Sequence, residues 1–349
     1  MEAMEWRRRA ENLSRCDARL GYSVDCREMP VTTVECPVCG AASTLSAHFP
    51  REQVVEQLQS ALMADGLDRV PFEDASLRQC EACGLEYSDP MQEPGAEFYQ
   101  WLTQAGFNYP QSRWEWLACR QLLTDLYRQK ADVLRTIIDV GCGDGRFLEL
   151  LSSLQGLRRI GLDLNPDVVA LCRGKGLDVI QGDLAAASSE MPEGIDAISL
   201  WHVVEHVGDP VGVLTRAKAL LRKEGMIFFS VPLTPMSYER SWPDPFNAPP
   251  HHLTRWCPSA LQALAARLDM KMQLVLPDAE SYPRRVLRGL TLQAMPPFGV
   301  QGRSRKLLRL IGFLARRPWR LLRECWWQAR LPKINGRTRP DVVLVYLRD

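Results

Sequence analysis

The chain has 349 residues, with 43 lysines and arginines against 42 acids, a net charge of +1, and 46 % apolar residues. That length predicts one large or two medium domains with ample core. The lack of any apolar run of about eighteen residues excludes a membrane-spanning helix. Arg7-Arg8-Arg9 is followed by no apolar stretch, so no export signal is expected. Eleven cysteines then suggest a reducing, cytoplasmic setting with thiols or metal ligands instead of disulfides.

Residues 1–30 read as a tail. Residues 31–95 carry Cys36-Pro37-Val38-Cys39-Gly40 and Cys80-Glu81-Ala82-Cys83-Gly84. Each knuckle puts two sulfurs on one tight turn, and four thiolates match the tetrahedral preference of Zn²⁺. Cys36, Cys39, Cys80 and Cys83 are the expected ligands of a structural zinc, because four thiolates leave no position for water. A helix-like stretch, Arg51 to Ala64, lengthens the gap between the knuckles beyond compact ribbon spacing. The other seven cysteines show no pairing pattern.

Residues 96–130 read as a helical linker dense in aromatics, with Tyr109 a candidate lid. Next comes Thr136-Ile137-Ile138-Asp139-Val140-Gly141-Cys142-Gly143-Asp144-Gly145, a buried strand running into a glycine turn that opens a helix. Such a unit brings backbone N–H groups and a helix N-terminus close to a ligand. A dinucleotide site and an S-adenosylmethionine site compete here. Asp144 would repel a pyrophosphate but suits an ammonium and a sulfonium, and Gly-x-Gly-x-Gly is not the dinucleotide spacing. Asp163, at the end of the next apolar run, can accept ribose hydroxyls of either ligand.

After the turn, Phe147, Leu150, Leu151 and Leu154 recur at helical spacing. Strand Arg159–Leu164, helix Pro166–Arg173, strand Asp178–Gln181 and strand Ile195–Leu200 follow. Asp209-Pro210 caps a helix that Glu224-Gly225 ends. Strand Met226–Val231, a helix after Pro258 and strand Met270–Leu276 complete the alternation. This order predicts an α/β fold with a mostly parallel, Rossmann-like sheet covered by helices on both faces. Asp139, Asp163, Asp183 and Trp201-His202 fall at strand carboxyl ends, where ligands bind on such sheets. Asp196 reads as structural.

Five histidines exist, and His252, His202 and His251 are the candidate catalytic residues, with His252 first as a base. Glu205 and His206 are expected to brace the turn after Trp201. The proline-rich loop Pro243–Pro250 is a candidate substrate lid.

Between Arg284 and Arg339 lie fifteen lysines and arginines and one acid, Glu324. Within residues 279–340 the stretch 303–331 mixes these charges with leucines and tryptophans, a basic amphipathic helical insertion. It suits a membrane surface or lipid-linked substrate better than a nucleic acid, and equally a solvated helical insertion packed on the domain by its leucines. Residues 341–349 return as the final strand.

From about residue 130 to 278 the chain resembles the class I S-adenosylmethionine-dependent methyltransferases. The motifs are Asp-Val-Gly-Cys-Gly-Asp-Gly, Gly-Leu-Asp-Leu-Asn, Gly-Asp-Leu and Leu-Trp-His-Val-Val-Glu-His-Val. With the knuckles and Pro250-His251-His252-Leu253 it is similar to bacterial methyltransferases of sugar and polysaccharide pathways. The deoxysugar C-methyltransferases carry His-Glu-His-Leu at the last motif, of which His252 keeps the second histidine. The resemblance implies that Gly141, Gly143 and Gly145 line the cofactor loop and that Asp163 binds ribose. It also implies an adenine contact from Asp183-Leu184 and a cleft bordered by Trp201 and His202. Asp139, Cys142, Asp144 and Leu164 complete the expected cofactor set, and residues 131–278 the expected S-adenosylmethionine-binding domain. The expected activity is methylation of a small acceptor, a sugar or sugar nucleotide, in the cytoplasm or at the inner membrane surface. The alternatives are an RNA methyltransferase and an inactive zinc-bearing scaffold.

Overall fold

A computed structural model describes residues 34–107, 110–129, 134–190, 194–295 and 303–348. The expected tail 1–30, with Cys16 and Cys26, and Tyr109 lie outside the described residues. The N-terminal unit begins with β1 (Ser43–Phe49), followed by helix Arg51–Leu62, β2 (Ala75–Cys80) and β3 (Glu86–Asp89). The helix presents Val54, Val55, Leu58, Ala61 and Leu62 to an apolar cluster with Phe49, Leu77, Phe98 and Trp101. The aromatic linker folds as two helices, Ala96–Gln104 and Trp114–Gln129.

Seven strands then build the main sheet: β4 (Thr136–Val140), β5 (Arg158–Asp163), β6 (Asp178–Gln181), β7 (Ile195–Trp201), β8 (Leu221–Pro232), and, beyond the two-residue β9 (Thr254–Arg255), β10 (Lys271–Val275) and β13 (Val342–Arg348). The sheet order is β10-β13-β8-β7-β4-β5-β6. The five strands β4 to β8 are parallel, with Ile138 opposite Ile160 and Ile198, and β13 enters antiparallel between β8 and β10. The chain runs outward from β4 through β5 to β6, then crosses to β7 on the other side. This reversal at β4/β7 opens a crevice at the carboxyl ends of the strands, where ligands bind in such sheets.

The core explains the strand choice. All seven residues of β7 are buried, and each large apolar side chain among them contributes about 1.5–3 kcal/mol. The buried Asp196 is held by Arg135 N–H, Thr136 N–H and Arg222, so its structural reading stands. Two local expectations change. The helix after the glycine turn is broken into Arg146–Leu150 and a 3₁₀ turn, Leu151–Ser153, although Phe147, Leu151 and Leu154 still share the core. The helix from Pro210 stops at Leu220, not at Glu224, because Leu221 already pairs with Ile195 in the sheet. Asp209 does cap that helix, accepting Gly212 N–H at 2.7 Å.

The small sheet runs β1-β2-β3-β9, so its last strand comes from the loop that carries His251 and His252. Cys36, Cys80, Cys83, Leu85 and Tyr87 share one apolar core with Trp256, Leu261 and the residues beneath β7 and β8. The boundary expected at residue 95 is therefore not a boundary in packing. The basic segment forms helices Tyr282–Ala294, Arg303–Arg316 and Trp319–Ala329 and a short hairpin of β11 (Lys333–Ile334) and β12 (Arg337–Thr338) before β13. No helix among the described residues is long and apolar enough to cross a membrane.

Candidate active site

The glycine turn follows β4 at the crevice. Gly141, Gly143 and Gly145 all adopt left-handed φ, +67°, +52° and +78°, which favours glycine. A Cβ on Gly145 would lie 2.3 Å from Leu177 and one on Gly141 2.9 Å from Val203, so these two glycines let the loop pack inward. A Cβ on Gly143 would meet nothing within 4 Å; that face is open to a ligand. Asp163 links the turn to β5: one carboxylate oxygen accepts Gly143 N–H at 3.1 Å, the other Asn165 N–H at 2.9 Å. Each oxygen retains a lone pair for a ribose hydroxyl. Burial raises the Asp163 pKa, partly opposed by the Asn165 and Gly143 amides.

The other expected cofactor residues are sorted by their surroundings. Asp139 is buried and accepts the Ser199 hydroxyl at 2.7 Å; burial pushes its pKa up to about 8. Cys142 is packed beneath the turn, in the space a side chain on Gly161 would fill. Asp144 pairs with Arg146 at 2.9 Å, so its charge is already met inside the protein. Leu164 is exposed beside Asp163. Leu184 lies in the core while Asp183 faces out. Trp201 is buried against Phe147, ring centroids 4.8 Å apart, and its indole N–H has no partner among the described residues. These residues fit S-adenosylmethionine: an open glycine face, a carboxylate for the ribose and apolar flanks.

The histidines divide into two groups. His202, at φ +53°, binds Glu205 through Nδ1 and Glu115 through Nε2, both at 3.0 Å. Burial disfavours its charge, but the two carboxylates outweigh that and raise its pKa. With both nitrogens engaged, His202 is a brace between helix Trp114–Gln129 and the turn after β7, which corrects its reading as a base. His251 and His252 are buried and stacked, centroids 4.7 Å apart, and His206 packs on both. Burial lowers all three pKa values, His251 to about 3. His252 Nδ1 meets Asn247 Oδ1 at 2.9 Å, the Asn247 amide donates to Glu239, and Glu239 pairs with Arg255 at 3.1 Å. This chain fixes the proton on Nδ1 and leaves the lone pair on Nε2 of His252, although burial opposes its protonation. Glu115, Asn247 and Glu239 join the site although no local motif announces them.

The four cysteines of the knuckles converge. Cys36 and Cys83 sulfurs are 3.7 Å apart, Cys39 and Cys80 3.4 Å, and all four lie within 4.8 Å of one another. A tetrahedron of Zn–S bonds of about 2.3 Å needs sulfurs about 3.8 Å apart, so the cluster could hold zinc. The knuckles match: Gly40 N–H bonds Cys36 C=O and Gly84 N–H bonds Cys80 C=O, both glycines at positive φ.

Residues 113–274 match the family model described as a methyltransferase domain. A ubiquinone biosynthesis O-methyltransferase of Aliivibrio fischeri is 30 % identical over 102 residues, 28 % of this chain and 43 % of the relative. That of Xanthomonas campestris is 32 % identical over 100 residues, 27 % of this chain and 41 % of the relative. The chain thus spans less than half the length of these curated relatives. Among solved structures, a SAM-dependent methyltransferase from Archaeoglobus fulgidus is 18 % identical with a TM-score of 0.39, covering 66 % of this chain and 94 % of that one. A plantazolicin methyltransferase in complex with SAH is 12 % identical with a TM-score of 0.42, covering 67 % and 84 %. The matched family model and the sheet built around the glycine turn make residues 113–274 a class I methyltransferase domain.

Proposed function

We propose that the chain transfers a methyl group from S-adenosylmethionine to a hydroxyl of a small acceptor, a sugar or sugar nucleotide, with zinc held structurally by the four cysteines. The observation that carries the cofactor is the open Gly143 face beside Asp163. The sulfonium of the bound cofactor supplies an electrophilic methyl group. The chain's own residues hold the cofactor at Gly141, Gly143, Asp163 and Asp183, and His252 Nε2 takes the hydroxyl proton as the acceptor oxygen attacks. The cofactor would supply the methyl group to the acceptor oxygen and leave as S-adenosylhomocysteine, and the hydroxyl proton would rest on His252. The names of the curated relatives support oxygen as the acceptor atom. Sugar nucleotides, phenols and RNA offered with isotope-labelled S-adenosylmethionine test the acceptor. His252→Gln is expected to lower turnover by about 10²–10⁴-fold while S-adenosylhomocysteine binding, read by calorimetry, stays unchanged. Equal loss of binding would make His252 a structural residue.

The basic helices favour a place of action. Leu307, Leu308, Ile311, Trp319, Leu322 and Trp326 are exposed large apolar side chains on two adjacent helices that also carry arginines. The opposite side is anchored: Gln328 and Trp327 donate to Ser237 C=O, and Glu324 bonds Ser241 and Gln293. An apolar face flanked by arginines suits an anionic bilayer, where each contributes about 1 kcal/mol near the surface. We therefore place the protein on the inner face of the cytoplasmic membrane, with a lipid-linked acceptor within reach. Phosphatidylglycerol vesicles are expected to sediment the chain and phosphatidylcholine vesicles to leave it in solution. Leu308→Glu with Leu322→Glu should abolish sedimentation; its persistence would refute the assignment.

A further inference from the structure

His206, on the turn after β7, and His251 and His252, on the loop before β9, come from distant parts of the chain. Yet one ring nitrogen of each lies within 4.8 Å of the others. Every ring uses Nδ1 for a carbonyl oxygen: His206 for His251 C=O at 2.6 Å, His251 for Phe246 C=O at 2.8 Å, His252 for Asn247 Oδ1 at 2.9 Å. A carbonyl only accepts, so each Nδ1 carries the ring proton and each Nε2 presents a lone pair. Asn247 cannot be flipped without losing its amide donation to Glu239. No hydrogen bond from a described residue reaches any of the three Nε2 atoms. Three imidazoles, each with an Nε2 lone pair that no described donor meets, are thus gathered beside Tyr99, Phe107 and Phe246.

We propose that His206, His251 and His252 form a second metal site, for a divalent transition ion such as Zn²⁺ or Co²⁺, separate from the cysteine cluster. Imidazole nitrogen suits these ions, and a second hydrogen bond from Nδ1 to a carbonyl is the usual support of a metal-bound histidine. His206 stands at 68° and 77° to the other two rings. His251 and His252 stack at 18°, each held in that orientation by its Nδ1 hydrogen bond. The charges around the site are mixed. Glu205, with one buried oxygen unpartnered, and Glu93 face His206 and favour a cation. His202 and Arg255 oppose one, but each is neutralised by two carboxylates, Glu115 and Glu205 for the first, Glu86 and Glu239 for the second. Three protein ligands leave a fourth position, and an acceptor hydroxyl bound there would be acidified. That role, unlike the site itself, rests on the methyl-transfer reading, and in it His252 acts as a ligand in place of a free base.

The test uses the full chain with zinc retained by the cysteines, dialysed against a weak chelator and titrated with Co²⁺. The expected result is one Co²⁺ per chain beyond the zinc, with visible ligand-field absorption and no sulfur charge-transfer band. His206→Gln and His251→Phe should each weaken that uptake at least 100-fold while the zinc content, which reports an intact fold, stays at one. No Co²⁺ uptake, or uptake unchanged in both variants, would overturn the proposal. S-adenosylhomocysteine binding in the same samples separates the two readings. Binding without Co²⁺ uptake sinks only the metal site, and uptake without binding sinks only the methyl transfer.

Discussion

Replacing Asp163 by alanine is expected to weaken S-adenosylhomocysteine binding by about 100-fold or more, measured by calorimetry on the full chain. The estimate follows from two hydrogen bonds to a charged acceptor, each of about 1.5–3 kcal/mol. The same change also frees Gly143 N–H and Asn165 N–H, which Asp163 now orients at 3.1 and 2.9 Å. The turn and the ribose contact therefore fail together. Asp163→Asn keeps the shape but sets an amide N–H₂ against one of these donors, so an intermediate loss is expected. Asp144→Asn is the control. Its carboxylate is already paired with Arg146, and its removal should change affinity by less than about tenfold, in the range of exposed ion pairs. Unchanged affinity in Asp163→Ala would remove the cofactor from this crevice altogether.

The contrast between these two aspartates shows what the sequence reveals. Asp163 is legible because strand, turn and strand end are local: Ile137 and Ile138 mark β4, the glycines mark the turn, and Asp163 lies 20 residues beyond Gly143. Asp144 lies in the same motif, but its partner Arg146 is chosen by the turn's geometry, which residue order does not give. Distance in the chain hides more. Glu115 reaches His202 across 87 positions, and β9 joins β3 across more than 150. The histidine loop could be recognised from Pro250-His251-His252-Leu253, but its closure with His206 depends on where the turn after β7 leaves the sheet. The Asp209 cap was legible because a cap needs only its own first turn.

Stripping the proposed zinc from the cysteine cluster is expected to destabilise the whole chain, not the N-terminal unit alone. An independent zinc module would melt separately and leave cofactor binding intact. Here Cys36, Cys80 and Cys83 belong to the same apolar core as Trp256 and Leu261, and β3 pairs with β9 through Tyr87 and Thr254. Ser259 and Cys257, at the start of helix Pro258–Arg267, both bond Cys83 C=O. Structural zinc binding is worth about 10–16 kcal/mol in zinc-finger peptides, and domain stability is about 5–15 kcal/mol. Loss of the ion thus removes an amount comparable to the whole. Heating the chain with a strong chelator should give one transition, lowered by tens of degrees, with S-adenosylhomocysteine binding lost at the same chelator concentration as the zinc. Cys83→Ser should behave likewise, because it removes a ligand and leaves a hydroxyl among thiolates. Two separate transitions, with binding surviving the first, would show that the shared core contributes little and that β9 can leave β3 without disturbing the histidine loop. A single transition would make the cysteine cluster the support of that loop, since the strand it stabilises begins two residues after His252.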